Sequence, residues 1–398
     1  MNTAKMWPED ADAFREAVRE WLAENCPQSM RTPMRPEEMP FGGSKGHPAG
    51  NPDIRIWLER VASRGLALPM APVEYGGAGL DGPRAAILAK EMRRIHARPP
   101  LMGGGVSLIA PALLIYGTEE QKRRHVPAIA RGETSWCQGF SEPEAGSDLV
   151  SLRLRAVRDG DEFVLNGQKT WTSKATVADW MFCLARTAAD APKQSAGISM
   201  FLVDMATPGI TIRPMRLING IEEFCETHFD NVRVPANEML GAENEGWNVA
   251  KTILMFERAA MSELGGAAWP FPLLETFHEL AVSSPEIAVA VARNELDQRA
   301  LEATIERMSR MVRSGDLTGA ARLANVIKVV FAEHTQRRAE LLTLLREWDG
   351  SSMAGEVEPE SLDTTRNWLA ARAWSIAGGT TEIQLNIISK RDLGLPAS

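Results

Sequence analysis

The amino-acid sequence predicts an α+β chain of several domains. A helical domain is expected over residues 1–135, a middle antiparallel β-barrel or sandwich over 136–237, and a C-terminal helical domain of the four-helix-bundle type over 238–398. Three observations lead there. Apolar residues recur at helical spacing in the first third, alternate with a period of two in the middle, and return to helical spacing afterwards. Turn dipeptides, Asp159-Gly160 and Asn166-Gly167, fall in the middle segment. The length, 398 residues, leaves room for two or three domains, each with its own core.

The first helix is expected over 7–22, where Phe14, Val18, Trp21 and Leu22 share a face and Asp10 or Asp12 can cap or favour the first turn. A stretch rich in Pro and Gly follows over 27–52, too long for a routine connector. Helical pattern resumes at 54–64, 83–96, 105–116 and 119–131. In the middle segment Leu152, Leu154 and Ala156 alternate with polar neighbours, and strand-like runs recur at 162–165, 180–185, 198–203, 210–215 and 228–234. Short strands at this spacing favour antiparallel pairing over a helix-interleaved parallel sheet. Helices are then expected at 246–262, 272–281, 285–313, 317–348 and 364–376, with a last one beginning near Thr380. No internal repeat of 20–50 residues is visible.

Composition excludes several classes. An apolar share of 44% and a charged share of 24% are ordinary for a globular chain. Lys+Arg 44 against Asp+Glu 52 gives a net charge of −8, which argues against unspecific attraction to nucleic acid or an anionic membrane. Cys26, Cys137, Cys183 and Cys225 lie far apart and read as buried, reduced thiols. The acidic start lacks a secretory pattern, and no apolar run approaches 18 residues, so a cytoplasmic location is expected. The six histidines lack ligand spacing, so no metal site is expected.

Three motifs bear on chemistry. Gly77-Ala78-Gly79-Leu80-Asp81-Gly82 matches the dinucleotide pattern GxGxxG, but Pro69 and Pro72 block a preceding strand, so a turn between helices is expected. Gln138 to Asp148 offers hydroxyls, amides and Gly146; it suits either a phosphate or flavin cradle or a tight surface turn. On a strand, Trp171 and Ser173 share a face, which fits stacking on a planar cofactor or filling a barrel core.

These residues carry a resemblance. Tyr116-Gly117-Thr118-Glu119-Glu120-Gln121, Phe140-Ser141-Glu142-Pro143 with Ala145-Gly146-Ser147-Asp148, Gly167-Gln168-Lys169 with Trp171, Asp230 to Pro235, Glu257-Arg258, and Ala377-Gly378-Gly379-Thr380-Thr381-Glu382-Ile383-Gln384 resemble the acyl-CoA dehydrogenase family in order and spacing. The resemblance runs from about Trp57 to Pro396. It implies FAD as cofactor, an acyl-CoA substrate, and an electron-transferring flavoprotein as electron acceptor. The reaction implied is loss of an α proton to a base and of a β hydride to flavin N5. Carried over by motif, Gln138, Phe140, Ser141, Gly146 and Ser147 would line the flavin and its phosphates, with Ser147 also near the substrate. Trp171 would stack on the ring system and Ser173 sit near N5, while Thr380 and Glu382 would reach the cofactor from the last helix.

The resemblance has departures. Most members place a Glu two residues before the Thr of the last motif, where this chain has Gly378. A subset keeps its base on the earlier helix immediately before an Arg, which implies Glu257 as the base and Arg258 as a substrate-binding group. The family's Arg-x-x-Phe-Gly and Gly-Gly-x-Gly elements, both interface contacts to the cofactor, are absent, which points to altered FAD binding or a mixed tetramer; a homo- or hetero-tetramer is expected. The sequence therefore also admits a non-catalytic or half-site subunit, or a flavin oxidase or monooxygenase on the same scaffold. The substrate class extends from fatty acyl to steroid side-chain esters.

Overall fold

In the computed structural model, which describes residues 7–32, 34, 38–44, 51–266, 272–346 and 359–396, the chain runs from helices to strands and back to helices. Asp10 starts the first helix, α1 (Ala11–Asn25): its carboxylate accepts from the backbone N–H of Asp12 (3.1 Å) and Ala13 (2.9 Å). Asn51 and Asp81 do the same for α2 (Pro52–Ser63) and α3 (Gly82–Arg94). Phe14, Val18, Leu22, Trp57, Val61 and Leu88 form one apolar cluster beneath them. The single helix expected over 105–116 is instead a wide π turn, Gly105–Ile109, followed by α4 (Ala110–Tyr116). Pro111 has no N–H to donate back into that turn, and the Ala110 N–H reaches Gly105 five residues earlier. A capping box between Thr118 and Gln121 opens α5 (Glu119–Ala130).

The strands are β1 (Trp136–Gly139), β2 (Arg155–Asp159), β3 (Glu162–Ser173), β4 (Trp180–Arg186), β5 (Ile198–Asp204), β6 (Ile210–Met215), β7 (Phe224–Pro235) and β8 (Met239–Leu240). They form one sheet in the order β6-β7-β3-β2-β4-β5-β8, with β1 added alongside β4. Pairing is antiparallel as expected, except that β1 lies parallel to β4 and Arg155 of β2 meets Arg186 of β4 in parallel. The period-two reading holds at side-chain level: Leu152, Leu154 and Ala156 are all buried. Phe163, Met181, Cys183, Phe201, Phe229 and Val232 complete that core.

The remaining helices are α6 (Gly246–Gly266), α7 (Leu273–Glu279), α8 (Pro285–Arg313), α9 (Leu317–Leu345), α10 (Pro359–Ala371) and α11 (Thr381–Ile387), the last capped by Thr380. The chain forms two compact units. One comprises Met1–Met215 with Glu223–Ile253, the other Arg216–Glu222 with Leu254–Ser398.

Part of the Pro/Gly-rich stretch is held firmly. Asp179, before β4, accepts from the backbone N–H groups of Ser44 (3.1 Å) and Ser135 (2.9 Å) and from both serine hydroxyls. Nearby, the Met102 N–H bonds the Pro40 carbonyl at 2.8 Å and Lys174 Nζ lies 5.3 Å from the Phe41 ring centroid. Burial pushes the Asp179 carboxyl up, but the bonds from Ser44 and Ser135 outweigh it and hold the group below its ordinary value. A carboxylate depressed in the folded state stabilises above the unfolded pKa and loses that contribution as pH falls through the folded value. Asp179→Asn is therefore expected to cost about 1–3 kcal/mol at neutral pH. The gap from wild type should stay constant down to about pH 4 and shrink below it, as read by urea unfolding at several pH values. A gap independent of pH would contradict the assignment.

Candidate active site

Residues 138–148 leave β1 and turn sharply. Glu142 and Ala145 bond each other's backbones both ways, at 2.9 and 3.1 Å, closing Pro143-Glu144 into a tight turn. Beneath it lies a buried ion pair. Lys169, wholly buried on β3, donates to Glu142 Oε1 (2.8 Å) and to the Phe140 carbonyl (3.0 Å). The same carboxylate accepts from the backbone N–H of Arg153 (2.6 Å) and Leu154 (2.9 Å), and the Thr170 N–H bonds the Ser141 carbonyl at 2.9 Å. The turn is thus fixed to β3 and to the residues leading into β2. The neighbouring Cys183 thiol is pushed up to about 12 by burial, so it is inert at neutral pH. All four cysteines are buried, and none of them forms a disulfide.

The outward side of this turn presents Gly146 and Ser147, both exposed, with Gln138 and Ser141 half-buried. Gly146 has a negative φ, and a Cβ placed on it would meet no atom within 4 Å. Nothing inside this chain requires a glycine there. Phe140 turns its ring inward onto Phe182, 5.8 Å between centroids, so it faces the core and not the outer surface.

Trp171 and Ser173 lie outward together at the end of β3, as the strand alternation predicts, with Thr172 between them buried. The alternation did not predict the bulge: the β3–β7 register slips between Lys169 and Thr172, and Trp171 sits at φ +58°. A bulky residue in the left-handed region is strained. Its indole is 56% exposed and touches Phe224 edge-on at 5.8 Å. An exposed, fixed indole beside a hydroxyl can take a flat ring on its open face.

The other expected residues belong to the second unit. Thr380 Oγ1 accepts from the Ile383 N–H (3.2 Å), and the exposed Glu382 is held below its ordinary value first by its own backbone N–H and then by the Thr380 hydroxyl. Gly378 and Gly379 both take left-handed backbone, φ +65° and +92°, and the buried Gln384 donates to the Gly378 carbonyl at 3.2 Å. Glu257 is half-buried on α6, whose earlier turns bury Val249, Ala250 and Ile253. The Arg258 side chain lies outside the described residues. The structure thus brings Gln138 to Ser147 next to Trp171 and Ser173 within one unit, and Glu257, Thr380 and Glu382 into the other. Sequence reasoning missed the Glu142–Lys169 pair and Gln384, although all three sit inside the quoted motifs.

The GxGxxG match is a packed turn. A Cβ on Gly77 would lie 2.0 Å from the Ala71 carbonyl oxygen, and a short 3₁₀ turn, Val73–Tyr75, precedes it where a strand would be needed. No cluster of metal-ligating side chains occurs among the described residues, and none of their helices is long and apolar enough to cross a membrane.

A helical part, a single sheet and a second helical part, with an outward indole and a tied glycine–serine turn on the sheet, define a fold of the flavin-dependent dehydrogenase type. Family models for the acyl-CoA dehydrogenase N-terminal, middle and C-terminal domains match residues 8–133, 137–232 and 244–393. The chain belongs to the acyl-CoA dehydrogenase family of FAD-dependent oxidoreductases. It is 36% identical over 398 residues to acyl-CoA dehydrogenase IpdE1 of Mycobacterium tuberculosis, covering 98% of each chain. A solved structure titled Tcur3481-Tcur3483 steroid ACAD superposes with a TM-score of 0.77 at 27% identity, over 100% of both chains. The ChsE4-ChsE5 complex of Mycobacterium tuberculosis does so with a TM-score of 0.68 at 26% identity, again over 100% of both.

The residues on the sheet fit a flavin: an open indole face, two exposed hydroxyls, and a glycine whose missing side chain leaves room for a ligand. Gly146→Val is therefore expected to melt within about 2 °C of wild type, as an exposed substitution away from packing does. It should also retain markedly less flavin through gel filtration, read as the ratio of visible to ultraviolet absorbance. Full flavin retention would show that the space beside Gly146 is not used by the cofactor.

Proposed function

We propose that this chain removes two hydrogens from the α and β carbons of an acyl-CoA thioester, with Glu257 as the base. The observation that carries the assignment is the backbone at Gly378. Resemblance puts the usual base there, but this position holds a glycine in the left-handed region, tethered through its carbonyl to buried Gln384. Glu257-Arg258 is the pair that matches the alternative base of the family subset. The α C–H is a weak acid, so the thioester carbonyl has to be polarised and the base has to be a carboxylate partly withdrawn from water. The half-buried Glu257 meets the second requirement. The proton passes to its carboxylate, the electron pair of the α C–H bond becomes the new double bond, and hydride leaves the β carbon.

In this reading Gln138, Ser141, Gly146, Ser147, Trp171, Ser173, Thr380 and Glu382 hold FAD, and Phe140 contributes by supporting the turn from within. Bound FAD supplies the hydride acceptor. Arg258 binds substrate, Ser147 lies toward the substrate as well, and an electron-transferring flavoprotein takes the electrons onward. The steroid acyl-CoA dehydrogenase among the similar structures, and the two components of both, support a bulky, ring-bearing acyl group and a mixed tetramer. The missing interface motifs favour the same assembly. A second reading, a subunit whose sites are completed by a partner chain, rests on those same motifs.

Glu257→Gln is expected to keep the yellow colour of the holoenzyme and to lower turnover by about 10²–10⁴-fold. Adding Gly378→Glu should not restore it, because a side chain at φ +65° would strain a loop already held by Gln384. Both are read by dye reduction with a panel of acyl-CoAs, with the wild type assayed alone and after co-expression with a partner subunit. Activity of Glu257→Gln within a few-fold of wild type would reject the base. Activity of the wild type only with the partner would favour the second reading.

A further inference from the structure

The last helix has little apolar packing to hold it. α11 is seven residues long, and of residues 381–396 only Gln384 is buried within the chain. A helix of about two turns is not stable by itself, so its place is set by what it touches. Leu385, Leu393 and Leu395 are each at least half exposed, which leaves the polar contacts to fix the segment.

Those contacts sit at its two ends. At the start, Gln384 Nε2 donates to the Gly378 carbonyl (3.2 Å) and the Thr381 hydroxyl to that of Ser375 (3.4 Å). At the far end, Ile388–Asp392 form a wide π turn, closed by the Leu393 N–H on the Ile388 carbonyl at 2.9 Å. A π turn is rare and is often found at functional sites. Here Asp392, its last residue, meets α9. The buried Asn325 donates its amide to Asp392 Oδ2 (3.2 Å), and Arg322, one turn earlier on α9, places Nε 3.8 Å from Oδ1. The Arg322 side chain is half exposed and its pair is long, so the hydrogen bond from Asn325 is the stronger tie. All of these residues belong to the second unit.

We infer that Asp392 is a positioning residue for the FAD site: its bond to Asn325 fixes the far end of the last helix against α9 and so sets where Thr380 and Glu382 are presented. The inference rests on the proposed role of Thr380 and Glu382. Asp392 does not touch the cofactor; it acts through the helix that ends beside it.

The test uses the full-length chain stripped of flavin and titrated with FAD, followed by quenching of flavin fluorescence. Asp392→Ala is expected to weaken FAD binding about tenfold, and Asn325→Ala by a similar factor. The double variant should lose no more than the weaker-binding single one, because both changes remove the same tie. Asp392→Asn keeps an oxygen for the Asn325 amide and should stay within about threefold of wild type. The flavin-free melting temperature of Asp392→Ala should remain within about 3 °C of wild type, because the segment buries little apolar surface; a tie needed only for folding would lower it and spare affinity. Wild-type affinity in Asp392→Ala, losses that multiply in the double variant, Asp392→Asn binding as weakly as Asp392→Ala, or a larger fall in the flavin-free melting temperature would each overturn the inference. Thr380→Ala combined with Glu382→Gln checks the last helix itself. If that variant binds FAD like wild type, the proposed role of the helix fails first, and Asp392 with it; if it loses affinity while Asp392→Ala does not, only the positioning role fails.

Discussion

Removing an ammonium and a carboxylate from water is costly, and the fold does so where β1 ends. The Lys169–Glu142 pair is tolerated because its polar atoms are used. The ammonium has the Phe140 carbonyl as a second acceptor, and the carboxylate has two backbone N–H groups as further donors. Those partners come from three places: the end of β1, the approach to β2, and the middle of β3. The pair therefore acts as a registration device, since it can be satisfied only if all three segments are in place. The outward geometry of the Gly146-Ser147 turn follows from it, because the turn is anchored at Glu142 and closed at Ala145.

The strain at Trp171 is a consequence of the same anchoring. Lys169 has to point inward to reach Glu142, and the Ser141–Thr170 backbone bond ties the next residue as well. Thr170 and Thr172 are buried, and the slip against β7 absorbs the irregularity between them. The residue left over takes left-handed backbone and points its indole out. An aromatic side chain held open to solvent by a strained backbone is poor economy for a core and well suited to a ligand platform.

The architecture was legible because it rests on periodicity. The change from helical spacing to alternation and back marked the three segments, and Leu152, Leu154 and Ala156 all face inward as their spacing implies. What the pattern could not carry was local. β1 and β8 are four and two residues long, too short to alternate, and the parallel placement of β1 depends on β4, more than forty residues later in the chain. The π turn at Gly105 follows from one missing N–H at Pro111, a detail that apolar spacing does not register. The outward pair Trp171 and Ser173 was readable; the bulge between them and Lys169 was not, because it arises from a contact with Glu142, 27 residues away. For the same reason Phe140 was expected at the cofactor, while its ring belongs to the core.

Two buried lysines differ in how their burial is met. Lys169 has its hydrogen bonds inside the protein, so its burial is explained by the contacts it makes. Lys328 has none among the described residues, and burial draws it below its ordinary value. The first arrangement specifies a structure. The second is a standing cost that an apolar substitution would relieve. Gly378 and Gln384 agree with the proposed function: the loop before the last helix is bent into left-handed backbone and held from within, as suits a position that carries no base.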